Sequence, residues 1–272
     1  PIVEHSPALS RDSLGLAVAR KALPVLITAC GGRPGEPVAD DFGFLHHALF
    51  GGRFDWLDGG GSPLYWRPLS RQIYYQLLGP LMLSHPFLVA LLHVVALAAT
   101  GVLLYRALRP GWSAPAAATA GAFPLLLEGA RQVIAWPSCA QDLLAMLFGV
   151  AALHALSRGR RAFALTWLAL ALLCKETAIA FAPALALWPA HSRADGTPAR
   201  ASDRLRTAAG AALVLAGWWL AHEAVSRHAR LLPPPLAAVE GASQLLAQLA
   251  WAVRGVWLDA LSVRDPAAAT AR

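Results

Sequence analysis

Long apolar stretches separated by short polar loops run through most of the chain. The clearest is 83–105, which reaches the roughly 20 apolar residues that a membrane helix needs. Further stretches share this apolar composition: 14–31, 113–127, 139–156, 162–190, 207–222 and 236–261. Arg20 and Lys21 interrupt the first of these, and charged residues break the last. The pattern predicts an all-α, polytopic transmembrane protein of about seven spans.

The stretch 162–190 is apolar except for Lys175 and Glu176 at its middle. It is too long for one straight span and short for two, so we predict a tight hairpin of two short helices. A charge at the bilayer centre costs about 2.5–3.5 kcal/mol on insertion scales, so the pair needs a reason to be there. An internal ion pair at the turn and a binding role both remain open from the residues alone.

Arginine-rich loops indicate how the spans are oriented. The clusters that follow the second span, the fourth span and the hairpin are Arg106 and Arg109; Arg158, Arg160 and Arg161; and Arg193, Arg200, Arg204 and Arg206. If the hairpin forms, these clusters share one side, and the positive-inside rule makes that side cytoplasmic. The outer side then receives a mixed-charge set: Asp40, Asp41, Glu128, Lys175, Glu176, His222 and Glu223.

Composition agrees with a membrane protein. Hydrophobic residues make up 57% of the chain and charged residues only 14%, whereas a soluble domain carries about 25% charge. The net charge of +7 is spread over short loops, so we expect a lipid bilayer and no nucleic acid as partner. The three cysteines lie far apart and show no metal-binding or disulfide spacing.

We divide the chain into two units. Residues 1–232 form a transmembrane module whose first outer loop covers 32–80, and 233–272 form an interfacial segment or incomplete last span with a tail. The chain begins with Pro1 rather than Met, and we expect it to be a fragment of a longer protein. We expect it in the inner (plasma) membrane, with its outer face toward the periplasm or exterior.

The first outer loop carries the most informative polar residues. Asp40 and Asp41 are adjacent carboxylates at a membrane boundary, where they either cap a helix in a solvated loop or form part of a site. The segment 64–78 combines aromatic residues with Arg67 and Arg71. It is either an interfacial anchor or a phosphate-binding segment, because a guanidinium matches phosphate geometry.

Other polar residues have plainer explanations. His46 and His47 lie near the two aspartates, but no further spaced ligand accompanies them, so we expect no metal and no cofactor. We expect His93, on an apolar helix, to pack or form hydrogen bonds within the protein. Asp142 is expected to cap its helix, and His222 with Glu223 to mark the end of a span.

Several short motifs follow one another in a distinctive order. They are DDF at 40–42, WRPLS at 66–70, HPF and LLH within 85–93, P, E, IAW and DLLA within 124–145, and CKETA followed by P at 174–183. This order resembles the GT-C class of integral membrane glycosyltransferases. The branch it resembles is that of the protein O-mannosyltransferases and bacterial family 39 enzymes. The similarity covers about 14–190 and rests on the order of the motifs, since each motif alone is unspecific.

The resemblance implies an inverting transfer of a sugar from a polyprenyl-phosphate donor to a hydroxyl on a protein, lipid or glycan acceptor. Asp41 or Asp40 would be the general base, with a preference for Asp41, and the base would face water. Lys175 resembles a family lysine near the donor phosphate. The motif that begins at Arg67 resembles the family's RPL motif.

Two positions depart from the family pattern. An acidic residue often stands where this chain has Gln132, which leaves Glu128 as the candidate acid of the second outer loop. An arginine often stands where this chain has Ala140. These departures keep open a non-catalytic membrane scaffold of the same fold. A membrane transporter or lipid-binding protein is the alternative from another class of protein. From the residues we would assign phosphate stabilisation to Lys175, Arg67 and Arg71.

Overall fold

The computed structural model describes residues 34–51, 55–62, 65–188 and 201–231. Within these ranges the regular structure is entirely helical, as the apolar pattern predicted. The predicted first span 14–31 and the interfacial segment 236–261 lie outside the described residues. The unit 233–272 and the arginines Arg193 and Arg200 lie outside them as well.

The helices follow one another with short connections. They are α1 Asp40–Phe50, α2 Tyr74–Ser84, α3 Pro86–Leu108, α4 Ala114–Leu126, α5 Glu128–Ala135, α6 Ala140–Ser157, α7 Arg161–Cys174, α8 Phe181–Leu187 and α9 Ala201–His228. Three short turns differ from the α-helix in their winding. One is the wider π-helical turn Pro68–Ile73, and the others are the tighter 3₁₀ turns Pro137–Cys139 and Glu176–Ala180.

Three helices in the described ranges are long and apolar enough to cross a membrane: Pro86–Leu108, Pro137–Ser157 and Ala201–His228. The predicted spans 83–105, 139–156 and 207–222 correspond to them. The predicted spans at 113–127 and 162–190 form shorter apolar helices instead. The lengths indicate a membrane protein, and the predicted number of about seven spans stays a prediction.

The chain reverses direction at Lys175, as predicted for 162–190. Lys175 contacts Asp142 near the beginning of α6, and Trp188 lies beside Ser157 at the end of α6. The α7 arm therefore runs toward one end of the bundle and the α8 arm returns to the other. Both arms pack against α9.

α6 lies at the centre of the bundle and packs against α3 and α7. Small residues permit the close contacts. A Cβ on Gly149 would overlap the Phe181 ring, so this position of α6 holds glycine. α3 crosses α4 where Gly101 and Gly121 face each other, and a Cβ on Gly101 would lie 2.6 Å from the Gly121 carbonyl oxygen. Such small-residue crossings are typical of membrane helices.

Basic and mixed-charge residues separate to opposite ends of the bundle. At one end, Arg106, Arg158 and Arg160 all lie close enough to His154 to interact with it electrostatically. In the same region Arg161 binds Asp203 at 3.0 Å. The other end holds α1, the π-helical turn and the reversal at Lys175. Arginines from all three predicted loop clusters therefore share one end of the bundle, as predicted: Arg106, Arg158, Arg160, Arg161 and Arg206.

Candidate functional site

Two arginines reach the centre of the mixed-charge end because of a wide backbone turn. Pro68 begins the π-helical turn, which is a position where proline's missing N–H costs no hydrogen bond. The Arg71 N–H then donates to the Arg67 carbonyl at 3.0 Å. The turn places both guanidinium groups beside Gln141 of α6. We call Arg67, Arg71, Gln141 and Glu176 the arginine cluster.

Arg67 is buried and paired with a carboxylate. Only 7% of it is exposed. Its Nε donates to Glu176 Oε2 at 2.9 Å, and its Nη2 donates to Glu176 Oε1, so the contact is bidentate. Its Nη1 donates to Gln141 Oε1, and its guanidinium lies 4.3 Å from the centre of the Tyr65 ring. This geometry locks the orientation of Arg67.

Arg71 is equally buried but, among the described residues, has no carboxylate partner. Its Nε donates to Gln141 Oε1 at 3.2 Å, and its Nη1 reaches the Tyr65 carbonyl at 3.5 Å. Its guanidinium lies 4.5 Å from the centre of the Phe44 ring. Burial, reinforced by the charge of Arg67, lowers the pKa of Arg71 to about 10. Arg71 stays charged at neutral pH. The groups in direct contact with it are neutral, and the charges of Glu176 and Asp40 act on it from farther away.

Asp41 is fully buried, so the expectation that this carboxylate faces water is wrong. Its Oδ2 accepts from the Val38 N–H at 2.7 Å, and its Oδ1 accepts from the Tyr75 hydroxyl. Burial raises the pKa of Asp41 despite these hydrogen bonds. Asp40, in the first turn of α1, is exposed. Of the two neighbours, only Asp40 is open to an external molecule.

Lys175 and Glu176 do not pair with each other, which excludes the internal ion pair considered for the hairpin turn. Lys175 Nζ donates to both oxygens of Asp142 at 2.6 and 2.8 Å. Glu176 pairs with Arg67 instead. Burial alone would raise the pKa of Glu176, but the hydrogen bond and charge of Arg67 outweigh burial and lower it. Each half of the pair therefore joins the hairpin turn to another element.

The structure brings most of the predicted site residues to one end of the bundle. Asp40 of α1 and Glu176 of the hairpin turn both lie close enough to Arg71 for their negative charges to favour its charged form. α1, the hairpin turn and the π-helical turn therefore meet at this end of the bundle. Glu128 begins α5, but its side chain lies outside the described part of the chain. Its expected role as the second-loop acid stays a prediction.

Sequence reasoning missed three partners of the predicted residues. Gln141 accepts from both arginines, Tyr75 donates to Asp41, and Asp142 pairs with Lys175 rather than serving as a cap. Asp142 had a detectable signal, because a carboxylate in the first turn of an apolar span is costly without a partner. Gln141 and Tyr75 are neutral residues and gave no such signal.

The histidines mainly support the fold. His93 is buried and lies between the Tyr74 hydroxyl at 2.6 Å and the Val133 carbonyl at 2.7 Å, which confirms the predicted hydrogen-bonding role. His47 pairs with Asp58 at 2.8 Å. Over the described ranges, no three His, Cys, Asp or Glu side chains come together in a way that could hold a metal ion.

Comparison with known proteins adds no identification. Neither a family model nor a curated protein nor a solved structure matches the chain. The resemblance to membrane glycosyltransferases therefore rests on the order of the sequence motifs alone. What the fold defines at this point is an all-helical protein with helices long enough to cross a membrane.

Proposed function

We propose that the protein transfers a sugar from a polyprenyl-phosphate donor to an acceptor hydroxyl at the membrane surface. One observation carries the proposal. Asp40, Arg71 and Lys175 come from three distant parts of the chain, and all belong to the mixed-charge end of the bundle. A membrane enzyme that uses a lipid-linked sugar needs a phosphate-binding cation and a base at such a boundary.

Arg71 is the residue best suited to bind the donor phosphate. Arg67 and Lys175 already hold carboxylates, Glu176 and Asp142 respectively. Arg71 is charged and buried, and in the described structure only neutral oxygens and aromatic rings contact its guanidinium group. A phosphate would compensate that charge in a low-dielectric setting, where such a contact is strongest. Arg67 then positions Arg71 through their shared contact with Gln141.

Asp40 is the better candidate for the general base. A base must come within hydrogen-bond reach of the acceptor hydroxyl, and Asp40 is exposed at the beginning of α1. The buried Asp41 holds the segment before α1 to α2 through Val38 and Tyr75. This assignment replaces the preference for Asp41 that followed from the sequence.

The proposed reaction needs no additional cofactor. Asp40 accepts the proton of the acceptor hydroxyl, and the hydroxyl oxygen forms a bond to the anomeric carbon of the sugar. The bond between that carbon and the phosphate oxygen breaks on the opposite face. Polyprenyl phosphate leaves with the electron pair, and the anomeric configuration inverts. Arg71 stabilises the charge that develops on the leaving phosphate.

The test uses the full chain reconstituted in vesicles with a panel of polyprenyl-phosphate sugars. Mass spectrometry follows release of polyprenyl phosphate and formation of glycosylated acceptors. We expect Asp40→Asn to lower kcat by about 10²–10⁴-fold, the usual contribution of a positioned base. Arg71→Gln is expected to weaken donor binding, seen as a higher KM for the donor. Arg227→Gln, on exposed α9, is the control and should change neither constant.

Each outcome separates the alternatives. Retained full activity in Asp40→Asn would overturn the assignment of the base. Donor binding without any sugar transfer in the wild type would identify a non-catalytic scaffold. Movement of an intact donor across the vesicle membrane would identify a transporter.

A further inference from the structure

A cavity of about 430 Å³ lies at the end of the bundle that carries Arg106, Arg158 and Arg160, which we call the arginine-rich end. The arginine cluster of Arg67 and Arg71 lies at the opposite end. Three helices form its walls: α3 contributes Leu103, α6 contributes Leu147 and Phe148, and α7 contributes Phe163 and Trp167. The volume falls within the roughly 300–1,000 Å³ that is typical of ligand pockets. The lining is mainly apolar, so it suits a hydrocarbon chain better than a polar metabolite.

Positive charge borders one end of this cavity. Arg158 and Arg160 are part of its lining, and both side chains are exposed. The charge of Arg106 acts on the same point, His154. Among the described residues, no carboxylate forms an ion pair with any of these three arginines; Asp203 is bound to Arg161 and Arg206 instead. The border therefore carries net positive charge.

His154 also lines the cavity, one turn of α6 before Arg158. Its Nδ1 atom is inaccessible to solvent, so this atom belongs to the interior of the protein and is not a contact point for a ligand. The cavity thus combines an apolar interior with a cationic border.

We infer that this cavity binds an anionic membrane lipid. Arg158 and Arg160 hold the headgroup phosphate, and one acyl chain lies between Leu103, Phe163 and Trp167. Charge complementarity selects the lipid, since basic pockets between membrane helices bind anionic headgroups and guanidinium groups match phosphate geometry. The inference is independent of the proposed sugar transfer, because the two sites lie at opposite ends of α6.

The experiment uses the full chain purified in detergent. Phosphatidylglycerol and phosphatidylcholine with identical acyl chains are added in turn, and native mass spectrometry counts the retained lipids. We expect phosphatidylglycerol to be retained and to raise the thermal unfolding temperature more than phosphatidylcholine does. Soluble glycerol phosphate should have little effect, because it lacks the chain that fills the cavity.

Variants then locate the site. Losing two basic contacts at about 1 kcal/mol each corresponds to roughly 30-fold weaker binding, so we expect that change in R158Q/R160Q. Arg204→Gln removes an exposed arginine from α9 outside the cavity and should leave binding unchanged. Ala151→Leu narrows the cavity from α6 and should lower retention of phosphatidylglycerol while leaving the two arginines in place.

Three results would overturn the inference. The first is equal retention of phosphatidylcholine, which would leave no role for the cationic border. The second is equal stabilisation by glycerol phosphate, which would leave no role for the apolar interior. The third is an R158Q/R160Q variant that keeps its preference for the anionic lipid. The arginine variants change exposed side chains only, so they are expected to fold and give a readable result.

Discussion

Arg67 and Arg71 lie side by side, yet their charges are balanced in different ways. Arg67 is bonded to the carboxylate of Glu176 through two atoms, whereas Arg71 meets only neutral oxygens and aromatic rings in the described structure. Removing one partner of a buried ion pair leaves an uncompensated charge, which is more costly than removing both. Changing only one member of the Arg67–Glu176 pair should therefore be costly, and Arg71 should be more tolerant of change.

The Arg67–Glu176 pair can be tested with a double-mutant cycle. We expect Glu176→Gln to lower the free energy of unfolding by about 3 kcal/mol, the lower end for breaking a buried pair, because Glu176 is partly exposed. The double variant R67Q/E176Q should lose less than the sum of the two single variants. Denaturant unfolding in mixed micelles measures all four proteins. Strict additivity would show that the two side chains do not stabilise each other.

Asp41 should make stability depend on pH. Burial raises its pKa above the ordinary value of 3.8, so the folded protein holds this proton more tightly than the unfolded chain. The stability contributed by protonated Asp41 is complete below the ordinary value and is lost as the pH rises through the raised pKa. Asp41→Asn cannot titrate, so the stability of wild type relative to this variant should fall across that window.

Thermal unfolding in detergent between about pH 4 and 8 measures this difference. Asp40→Asn, which changes the exposed neighbour, serves as the matched control. A difference between wild type and Asp41→Asn that is the same at every pH would contradict the role of burial at Asp41.

At the scale of helices, close packing depends on glycine at crossing points. Gly101 of α3 and Gly121 of α4 bring the two backbones together, and each would place a Cβ against the other's carbonyl oxygen. A backbone atom cannot move aside as a flexible side chain can. The crossing is therefore sensitive to a single methyl group, whereas a Cβ on Gly43, Gly129 or Gly217 would meet no atom within 4 Å.

Gly101→Ala is expected to destabilise the protein by about 1–3 kcal/mol, the usual cost of overpacking. Gly217→Ala is the matched control, because it lies within a long helix and its added Cβ would meet no atom within 4 Å. The control should be neutral or slightly stabilising, since alanine is the better helix former. Thermal unfolding of both variants in detergent decides between these outcomes, and equal melting temperatures would refute the close approach.

At the scale of the molecule, the two ends of the bundle have opposite characters. α1, the π-helical turn and Lys175 lie at one end, and the loop after α3 lies with the end of α6 at the other. If α3 and α6 cross the bilayer, the two ends contact different aqueous compartments. The arginine-rich end is then expected on the cytoplasmic side.

Cysteine labelling tests this arrangement in a background without Cys30, Cys139 and Cys174. His46→Cys and Gly111→Cys place exposed thiols at opposite ends of the bundle. A membrane-impermeant thiol reagent added to intact cells should modify His46→Cys and not Gly111→Cys. Both should react after the cells are opened. Labelling of both variants in intact cells, or of neither, would contradict two ends separated by the membrane.

Much of the architecture was predictable, because the length of an apolar segment indicates a helix and the positions of charged residues indicate where that helix ends. The reversal at Lys175 followed from an apolar segment interrupted by two charges, and the structure has it. The detailed partners did not follow, since nothing local indicates that Lys175 pairs with Asp142 or that Arg67 pairs with Glu176. Which of Asp40 and Asp41 is buried also depends on the rotation of α1 about its axis, and two adjacent aspartates in a sequence do not indicate that rotation.

The π-helical turn Pro68–Ile73 makes the arginine cluster vulnerable to a change in chain length. A π-helical turn contains about one residue more than the α-helical turn it replaces. Deleting Leu69 would let the segment relax into an α-helix, and each residue before the deletion would rotate by about 100° around the helix axis. Arg67 would then turn away from Gln141 and Glu176, while Arg71 would keep its place. Loss of the single codon for Leu69 would thus move Arg67 away from Arg71 although both arginines remain in the chain.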